Sequence, residues 1–457
     1  MTRTRRGPVF GKTEINFNWF FWGVIVFVHV AFFLIFYYSN NIYMSDSKEY
    51  LRQSYNIKTH LTFYCADLTK QINPAFYSRR SPLYGLLILI AKTIYNSNYF
   101  VLVIQNLFSL LNIFGLIRIL KEFHFAFNIR KILLVFLVLF PTQYIYNNMV
   151  MSEILLQTLI FWSLYNLYYY LKLKKQSNIL YFNILLGLAV LTKPVLVYFW
   201  VPNLLFMIYL FMRNKRWTTI FYGFIQPLVI LLLTLYNYNA TGSFQYSSNK
   251  QVSYLDYSAT FLLITVRGEE VGWKKWADAH SYLDTISNYS FLVKESERIA
   301  TEIIIDNKIE YLKLHLKGML NYFFDPGRYD LNYLLSIKES NHTGLMYAFA
   351  KGGYGEIFAF IGRQPVFVII YITLMMIINL LLFFSLLLFL FSRKTKVEMK
   401  IFIGTMILYM SFVSGILGTM RYKTHIYFLM LFCVPFAYDF IREKLSKHKT
   451  EAVKNSI

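Results

Sequence analysis

The sequence predicts an all-α integral membrane protein with about ten transmembrane helices. Of its 457 residues, 56% are hydrophobic and 15% are charged, a composition too apolar for a soluble protein of this length. Apolar windows of about 20 residues, the length that a spanning helix needs, recur along the chain. Lys and Arg collect in the short connectors between these windows, as is typical of loops on the cytoplasmic side of a membrane.

The basic connectors also explain the formal net charge of +22. In a soluble protein such a charge would suggest a nucleic-acid partner, but the membrane accounts for it here and no nucleic acid is expected. The two cysteines, Cys65 and Cys433, fall in a predicted outer loop and in an apolar run, so no disulfide framework is expected.

The first apolar run begins near Trp19 and follows Arg3, Arg5, Arg6 and Lys12. At about 20 residues it is too long for the core of a signal peptide, and no small-residue cleavage site follows it, so it is predicted to be a retained helix. Nine further spans are predicted at about 99–120, 131–149, 152–171, 179–193, 195–212, 217–236, 366–391, 400–418 and 421–440.

One topology places every basic connector on the same side. With the N-terminus inside, the clusters around Lys121, Lys174, Lys215 and Arg393 and the tail from Arg442 all face the cytoplasm. The apolar segment 83–97 is too short for a full span, and counting it as one would reverse the membrane side of every later loop. It is therefore predicted to be an interfacial or re-entrant helix on the outer face. The protein is then a multi-pass protein of the inner (plasma) membrane with both termini in the cytoplasm.

This topology divides the chain into four parts. Residues 1–236 form an N-terminal transmembrane module with an outer loop at 39–98, and residues 237–365 form an extracytoplasmic soluble portion. Residues 366–441 carry the last spans, and 442–457 are a cytoplasmic tail. Within the extracytoplasmic portion, Ile303, Ile304, Tyr311, Leu312 and Leu316 recur at helix-like spacing and predict helices at about 290–322.

Isolated charges mark the outer ends of the predicted spans. Glu153 is the only charged residue between Lys131 and Lys172. Lys193 is the only charged residue between Lys175 and Arg213. Ionisable groups in apolar surroundings need a partner or water, which indicates a polar cavity, although each could also lie in an ordinary solvated turn.

The first outer loop opens with Asp46 and Glu49, which share a face if a helix begins there. Ser45 or Asp46 could simply cap that helix. Later in the loop come Arg79 and Arg80, which could bind lipid headgroups. Arg421 and Tyr422 precede the last span, where a snorkelling anchor and an interfacial tyrosine are the simpler interpretation. Together, an acidic residue facing several cations suits an anionic lipid headgroup.

At these residues the chain resembles the GT-C glycosyltransferases, membrane enzymes that use polyprenyl-phosphate-linked sugars. It is most similar to the bacterial branch of glycosyltransferase family 39, which includes protein O-mannosyltransferases and aminoarabinose transferases. The order of the motifs along residues 40–425 carries the resemblance, which is weakest across 250–365. The matching features are Asp46 with Tyr50, Arg80-Ser81-Pro82-Leu83-Tyr84, Ser152-Glu153, Leu186-Gly187-Leu188-Ala189, Leu191-Thr192-Lys193-Pro194, Tyr236-Asn237-Tyr238, Thr241-Gly242-Ser243-Phe244 and Arg421-Tyr422.

The resemblance implies a GT-C fold and marks Asp46 as the catalytic residue. Much of this branch has two adjacent acidic residues in the first loop, whereas Asp46 is followed by Ser47. The role of Glu49 is therefore left open.

The chemistry follows from these residue types. Asp46 is predicted to take the proton of an acceptor hydroxyl as the new bond forms. Arg80 and Arg421, with Lys193 and Arg79 as further candidates, would neutralise the departing lipid phosphate. A base on one face of the sugar and the phosphate on the other implies inversion at the anomeric carbon.

The remaining candidate side chains have alternative roles. Glu153 could orient a substrate, or it could hold one of the arginines in place, which is the favoured interpretation. Tyr50, Tyr84 and Tyr422 could stack on sugar or isoprenoid, but with 38 tyrosines in the chain, packing is favoured for each.

No cofactor is required by these motifs. The eight histidines form no ligand-spaced cluster, so zinc is not supported. Oxygen ligands from Asp46 and Glu49 would suit a divalent ion, which the resemblance does not demand. The donor is predicted to be lipid-borne because no glycine-rich phosphate loop is evident. The acceptor could be a glycan, a lipid or a protein.

The extracytoplasmic portion is expected to cover the cavity. Its stretch 324–330, Phe-Asp-Pro-Gly-Arg-Tyr-Asp, is typical of a turn, with a sugar-contacting loop as the alternative.

The main alternative function is a lipid or small-molecule transporter or flippase. Transporters tend to place ionisable groups near the bilayer midplane and to contain repeated halves. Here the isolated charges lie at predicted outer ends and no halves repeat. A noncatalytic membrane scaffold, in which the outer charges are only anchors, is the second alternative.

Overall fold

In the computed structural model of the chain, residues 12–335, 337, 355, 359 and 362–454 are described. Within these residues every regular element is a helix and no strand occurs. The predicted all-α membrane architecture is confirmed. The basic residues Arg3, Arg5 and Arg6 and most of the predicted extracytoplasmic stretch 338–361 lie outside the described residues.

Six helical segments among the described residues are long and apolar enough to cross a membrane. The chain is thus a multi-pass membrane protein. The six segments are Phe17–Ser39 within α1 (Lys12–Ser39), Asn98–Lys121 (α5), Pro194–Asn214 (a 3₁₀ turn followed by α10, Trp200–Asn214), Trp217–Thr241 (α11, Trp217–Gly223, and α12, Ile225–Thr241), Val366–Phe391 (α19) and Val397–Leu417 (α20, Val397–Ser414, and a 3₁₀ turn).

The four other predicted spans also correspond to helices. The span at 131–149 is a bent pair, α6 (Ile129–Val138) and α7 (Pro141–Asn147), whose axes differ by 68°. Pro141 has no N–H to continue the hydrogen-bond ladder of α6, so the helix breaks before it. Length and composition alone give seven spans if this pair is counted. The remaining three positions hold α8 (Glu153–Leu173), α9 (Gln176–Thr192) and α22 (Tyr427–Lys454).

The basic connectors meet at one end of the bundle. Lys172 at the end of α8 donates to Glu122 at 2.7 Å, and Lys396 donates to the carbonyl of Leu171 at 2.6 Å. Arg213 is paired with Glu398 at the same end. Glu153 is the first residue of α8. This helix has 21 residues, so at 1.5 Å per residue Glu153 lies about 30 Å from the basic end. The cluster described below therefore lies at the opposite end of the bundle. The assignment of the basic end to the cytoplasm stays a prediction.

Short helices fill the region after α1. They are α2 (Ser47–His60), α3 (Ala75–Ser78) and α4 (Pro82–Ile94). At 13 residues, or about 20 Å, α4 is shorter than the hydrocarbon core of a bilayer, and its interfacial or re-entrant placement stays a prediction.

The region between α12 and α19 is also helical where it is described. The predicted helical stretch at 290–322 consists of two helices, α16 and α17, which are separated at Asn307. A small apolar core of Leu255, Ala259, Leu283 and Ala300 lies in this region. The elements are α13 (Asn249–Gln251), a π-helix (Val252–Ala259), α14 (Thr260–Arg267), α15 (Glu269–Leu283), α16 (Tyr289–Asp306), α17 (Lys308–Phe324) and α18 (Arg328–Leu334). A short helix, α21 (Met420–Thr424), precedes α22.

Candidate functional site

Asp46 occupies the N-cap position of α2, but its side chain does not cap the helix. Its carboxylate instead forms two ion pairs. Oδ1 accepts from Arg80 Nη2 at 2.9 Å, and Oδ2 accepts from Arg421 Nη2 at 2.5 Å. The capping role considered for Asp46 is therefore wrong, and the carboxylate faces two guanidinium groups.

Arg80 also binds the second acidic residue of α2. Its Nε donates to Glu49 Oε2 at 2.5 Å, and its guanidinium lies 5.4 Å from the centre of the Tyr50 ring. Asp46 and Glu49 are three positions apart on one face of α2, so a single guanidinium can bridge them. Arg79 is less engaged, with Nη1 at 3.9 Å from Glu49 Oε1.

Glu153 joins the cations on the other side of the cluster. It is fully buried, and its Oε1 accepts from Lys193 Nζ at 2.8 Å and from Arg421 Nε at 2.5 Å. Arg421 therefore bridges Glu153 and Asp46. Removing Glu153 would leave Lys193 without its buried counter-charge and Arg421 with Asp46 alone, which is costly.

Of the three candidate tyrosines, Tyr50 and Tyr84 are buried and Tyr422 is partly buried. The Tyr50 hydroxyl is 2.9 Å from Ser152 Oγ, and the Tyr84 hydroxyl donates to Gln105 at 2.5 Å. The rings of Tyr50 and Tyr84 meet edge to face at 4.9 Å. Tyr422 lies beneath Lys193, whose Nζ is 5.7 Å from its ring centre. These contacts suit packing and support of the cations.

The ionic network shifts the pKa of Asp46 and of Arg80. Burial would raise the pKa of the Asp46 carboxyl, but Arg421 and Arg80 outweigh burial and hold this pKa below its usual value. For Arg80, burial lowers the pKa, while Tyr50, Asp46 and Glu49 raise it further, so the net pKa lies above that of free arginine. Asp46 and Arg80 are therefore both charged near neutral pH.

Several residues next to the cluster were not predicted. His425 Nε2 lies 3.4 Å from Lys193 Nζ. Lys423 is fully buried and donates to the carbonyl of Phe323 at 3.0 Å and to Asn379 Oδ1 at 2.7 Å. Neither side chain had a sequence signal beyond its nearness to Arg421.

Within the stretch 324–330, only residues 325–327 lie outside the helices, and they form the bend between α17 and α18 that its Pro and Gly predict. Asp325 Oδ1 accepts from the N–H of Gly327 at 3.1 Å, and Gly327 has a φ of +72°. Asp325 Oδ2 accepts from the N–H of Met420 at 2.6 Å, next to Arg421. Asp330 is buried and accepts from the Tyr146 hydroxyl at 2.8 Å. The turn thus packs against the segment that carries Arg421.

Metal ligands are not grouped in the described part of the chain. There, no three His, Cys, Asp or Glu side chains lie where they could jointly hold an ion. Asp46 and Glu49, the pair considered for a divalent ion, are both bonded to Arg80.

No protein-family model matches the sequence, and no curated protein matches it. Among solved structures, the chain is similar to a crystal structure of ArnT from Cupriavidus metallidurans in the apo state, with 11% sequence identity and a TM-score of 0.37. The similarity covers 94% of this chain and 78% of that one. This likeness is weak, and it assigns no activity, substrate or residue role to the chain.

Proposed function

We propose that the protein is an inverting glycosyltransferase of the GT-C type. It would move a sugar from a polyprenyl-phosphate-linked donor to an acceptor hydroxyl on the extracytoplasmic side of the membrane. The observation that carries the proposal is the position of Asp46, whose carboxylate lies between the guanidinium groups of Arg80 and Arg421 at one end of the bundle.

The charge of the cluster suits an anionic lipid. The cluster contains four cations and three carboxylates. The cations are Arg79, Arg80, Lys193 and Arg421, and the carboxylates are Asp46, Glu49 and Glu153. One positive charge is left over. A sugar linked to a lipid phosphate by a diester carries one negative charge, and charge-assisted hydrogen bonds from arginine are well suited to phosphate oxygens.

In the proposed reaction, the acceptor oxygen forms a bond to the anomeric carbon as the bond from that carbon to the phosphate oxygen breaks. The acceptor proton passes to the Asp46 carboxylate, and the electron pair of the broken bond stays on the lipid phosphate. Arg80 and Arg421 stabilise the second negative charge that develops there. Attack opposite the phosphate inverts the anomeric configuration.

Asp46 must become more basic before it can accept that proton. In the network described above, two guanidinium groups hold its pKa low and make it a weak base. A bound phosphate would compete for the same guanidinium hydrogen bonds and draw them away from Asp46. Donor binding would thus prepare the base, while Glu153 and Glu49 keep the arginines in place.

The test compares two carboxylates of the same outer loop. Asp46→Asn removes the base, whereas Asp67→Asn removes a partly exposed carboxylate that bonds Thr69 and Arg52 outside the cluster. Lipids and glycans from cells that express each variant are compared by mass spectrometry with those from cells lacking the protein. We expect Asp46→Asn to lose the sugar-modified product by at least 10²-fold, the scale of general-base catalysis, and Asp67→Asn to retain it.

Two results would reject the proposal. Unchanged product with folded Asp46→Asn protein would reject the role of Asp46. The same glycans and lipids in cells with and without the protein would reject sugar transfer altogether. Movement of an unmodified lipid across reconstituted vesicles would then favour the transporter or flippase alternative.

A further inference from the structure

Helix α17 has an apolar face that the described part of the protein leaves exposed. Ile309, Leu312, Leu316 and Leu320 follow one another at spacings of three, four and four residues, which places them on one side of the helix. Their exposed fractions are 58%, 57%, 50% and 59%. The opposite side of α17 packs on the protein through Gly318, where an added β-carbon would overlap the carbonyl of Gly415. Lys313 and Lys317 are also exposed on α17, beside this stripe.

The preceding helix shows what a water-exposed face looks like in this protein. On α16, the exposed positions in the middle of the helix carry Lys294, Arg298 and Glu302, while Phe291 and Ile305 are exposed near its two ends, and Arg298 bonds Glu302 at 2.6 Å. A helix surrounded by water on its free side normally has such a polar face. A contiguous exposed apolar stripe on α17 indicates a nonaqueous neighbour.

Contacts with two spans give the depth of α17. The carbonyl of Asp325, just after α17, accepts from Asn379 Nδ2 at 2.8 Å. Asn379 lies 12 residues from the basic end of α19 at Phe391, or about 18 Å along the helix. The carbonyl of Met319 accepts from Ser411 Oγ at 3.4 Å.

The second contact gives a similar depth. Ser411 lies 14 residues beyond Val397, at the basic end of α20, or about 21 Å along that helix. The hydrocarbon core of a bilayer is about 30 Å thick. With the hydrocarbon taken to begin at the basic ends of α19 and α20, both contacts fall inside it, in the leaflet at the Asp46 end. Because Met319 and Asp325 lie at nearly the same depth, the C-terminal half of α17 runs close to the membrane plane.

The stripe also continues the exposed surface of a span. His315 on α17 and Phe412 on α20 have ring centres 5.0 Å apart, and Phe412 and Leu408 are both exposed on that span. Lys308 and Lys313 lie near the stripe, where their ammonium groups can reach lipid headgroups.

We propose that α17 is an interfacial helix whose Ile309–Leu320 stripe contacts lipid acyl chains in the leaflet at the Asp46 end of the bundle. This surface goes beyond the proposed sugar transfer and does not require it. It differs from the expectation that residues 237–365 form an extracytoplasmic soluble portion.

This placement links lipid contact to the ionic cluster. Asn321 Nδ2 on α17 donates to the carbonyl of Gly418 at 2.5 Å, and Asp325 accepts from the N–H of Met420 at 2.6 Å. Both bonds hold the segment that leads into Arg421. The depth of α17 in the leaflet thus sets the position of Arg421 relative to the membrane surface.

The experiment measures the surroundings of nitroxide labels on the full-length protein in nanodiscs of phosphatidylethanolamine and phosphatidylglycerol. Leu312→Cys and Leu316→Cys place labels on the stripe, and Lys294→Cys places the control label on the exposed side of α16. Cys65 and Cys433 are both buried, and unmutated protein gives the background. Collision rates with oxygen, which concentrates in acyl chains, and with a water-soluble nickel chelate are compared.

We expect both stripe labels to collide several-fold more often with oxygen, relative to the nickel chelate, than the Lys294 label does. Two results would overturn the proposal. Stripe labels with the same ratio as the Lys294 label would place the face in water. Stripe labels shielded from both reagents would show that protein covers the face, either a second copy or another part of this chain. Loss of sugar transfer in Asp46→Asn has no bearing on these ratios, so the two proposals fail separately.

Discussion

Replacing Glu153 with Gln tests whether the ionic cluster contributes to the stability of the bundle. The Glu153 carboxylate is fully buried and accepts hydrogen bonds from Lys193 and Arg421. A glutamine at this position keeps the shape but loses the charge, and its amide N–H groups can point at the cations. Lys193 would then lack its buried counter-charge, and Arg421 would keep only Asp46.

The expected loss of stability is large for one substitution. Breaking a buried ion pair by removing one partner costs about 3–5 kcal/mol. With an unfolding entropy of roughly 2.1 cal/mol/K per residue, a chain of 457 residues has about 1 kcal/mol/K. Glu153→Gln should therefore lower Tm by about 3–5 °C. Glu122→Gln is the matched control, because its pair with Lys172 is exposed at 43% and 33% and is worth about 1 kcal/mol or less.

Thermal unfolding in detergent, followed by tryptophan fluorescence, measures both variants. A Tm for Glu153→Gln no lower than that of Glu122→Gln would refute the reasoning, because it would mean that the cluster is solvated. The double variant Glu153→Gln with Lys193→Met should recover part of the loss, since it removes the unpaired cation as well as the carboxylate. Recovery of none of the loss would show that the cost comes from packing instead.

Two further predictions concern Asp330 and Gly318. Burial raises the pKa of the Asp330 carboxyl to about 7, against the opposing effect of the hydrogen bond from Tyr146. Between about pH 4 and 7 the folded state therefore binds more protons than the unfolded state, so the free energy of unfolding should fall as the pH rises through that window. At 1.4 kcal/mol per pH unit, the fall is at most roughly 4 kcal/mol. In Asp330→Asn this fall should disappear, which unfolding at pH 4.5 and 7.5 measures, and an unchanged pH dependence would contradict it. Gly318→Ala should destabilise the protein by about 1–3 kcal/mol, because the added β-carbon would overlap Gly415. Gly404→Ala is the control, since its β-carbon would meet nothing within 4 Å, and it should not lower Tm. Equal effects of the two substitutions on Tm would argue against the close packing of α17.

Much of the candidate site could be predicted because charges are rare in this sequence. Glu153 and Lys193 stood alone between long apolar runs, and in the structure they bond each other at 2.8 Å. An isolated charge in apolar surroundings needs a counter-charge, so its presence indicates a partner even when the partner is far away in sequence. The pairing of Glu153 with an arginine was predicted on this basis, and the contact with Arg421 confirms that pairing.

Other features depend on how helix ends meet and have no local signal. Arg421 reaches Asp46 across 375 positions of sequence because α21 packs beside the start of α8. Lys423 is only two residues further on, yet it points into backbone carbonyls and Asn379 rather than into the cluster. Spacing cannot distinguish these two cations. The apolar periodicity of α17 predicts a helix, but it does not predict what lies against the exposed face. Helical periodicity is the same whether the neighbour is protein or lipid.

The surplus of one positive charge has a consequence for every stage of the proposed reaction. Adding a donor diester with one negative charge makes the cluster and donor neutral together. After transfer, the lipid phosphate carries two negative charges, and Asp46 has gained the acceptor proton, so the sum is again neutral. A site at the edge of the hydrocarbon avoids the cost of a net charge only if Asp46 is protonated as the phosphate gains its second negative charge. The same carboxylate that takes the proton therefore also balances the phosphate, and this explains why Asp46 would lie between the two arginines rather than apart from them.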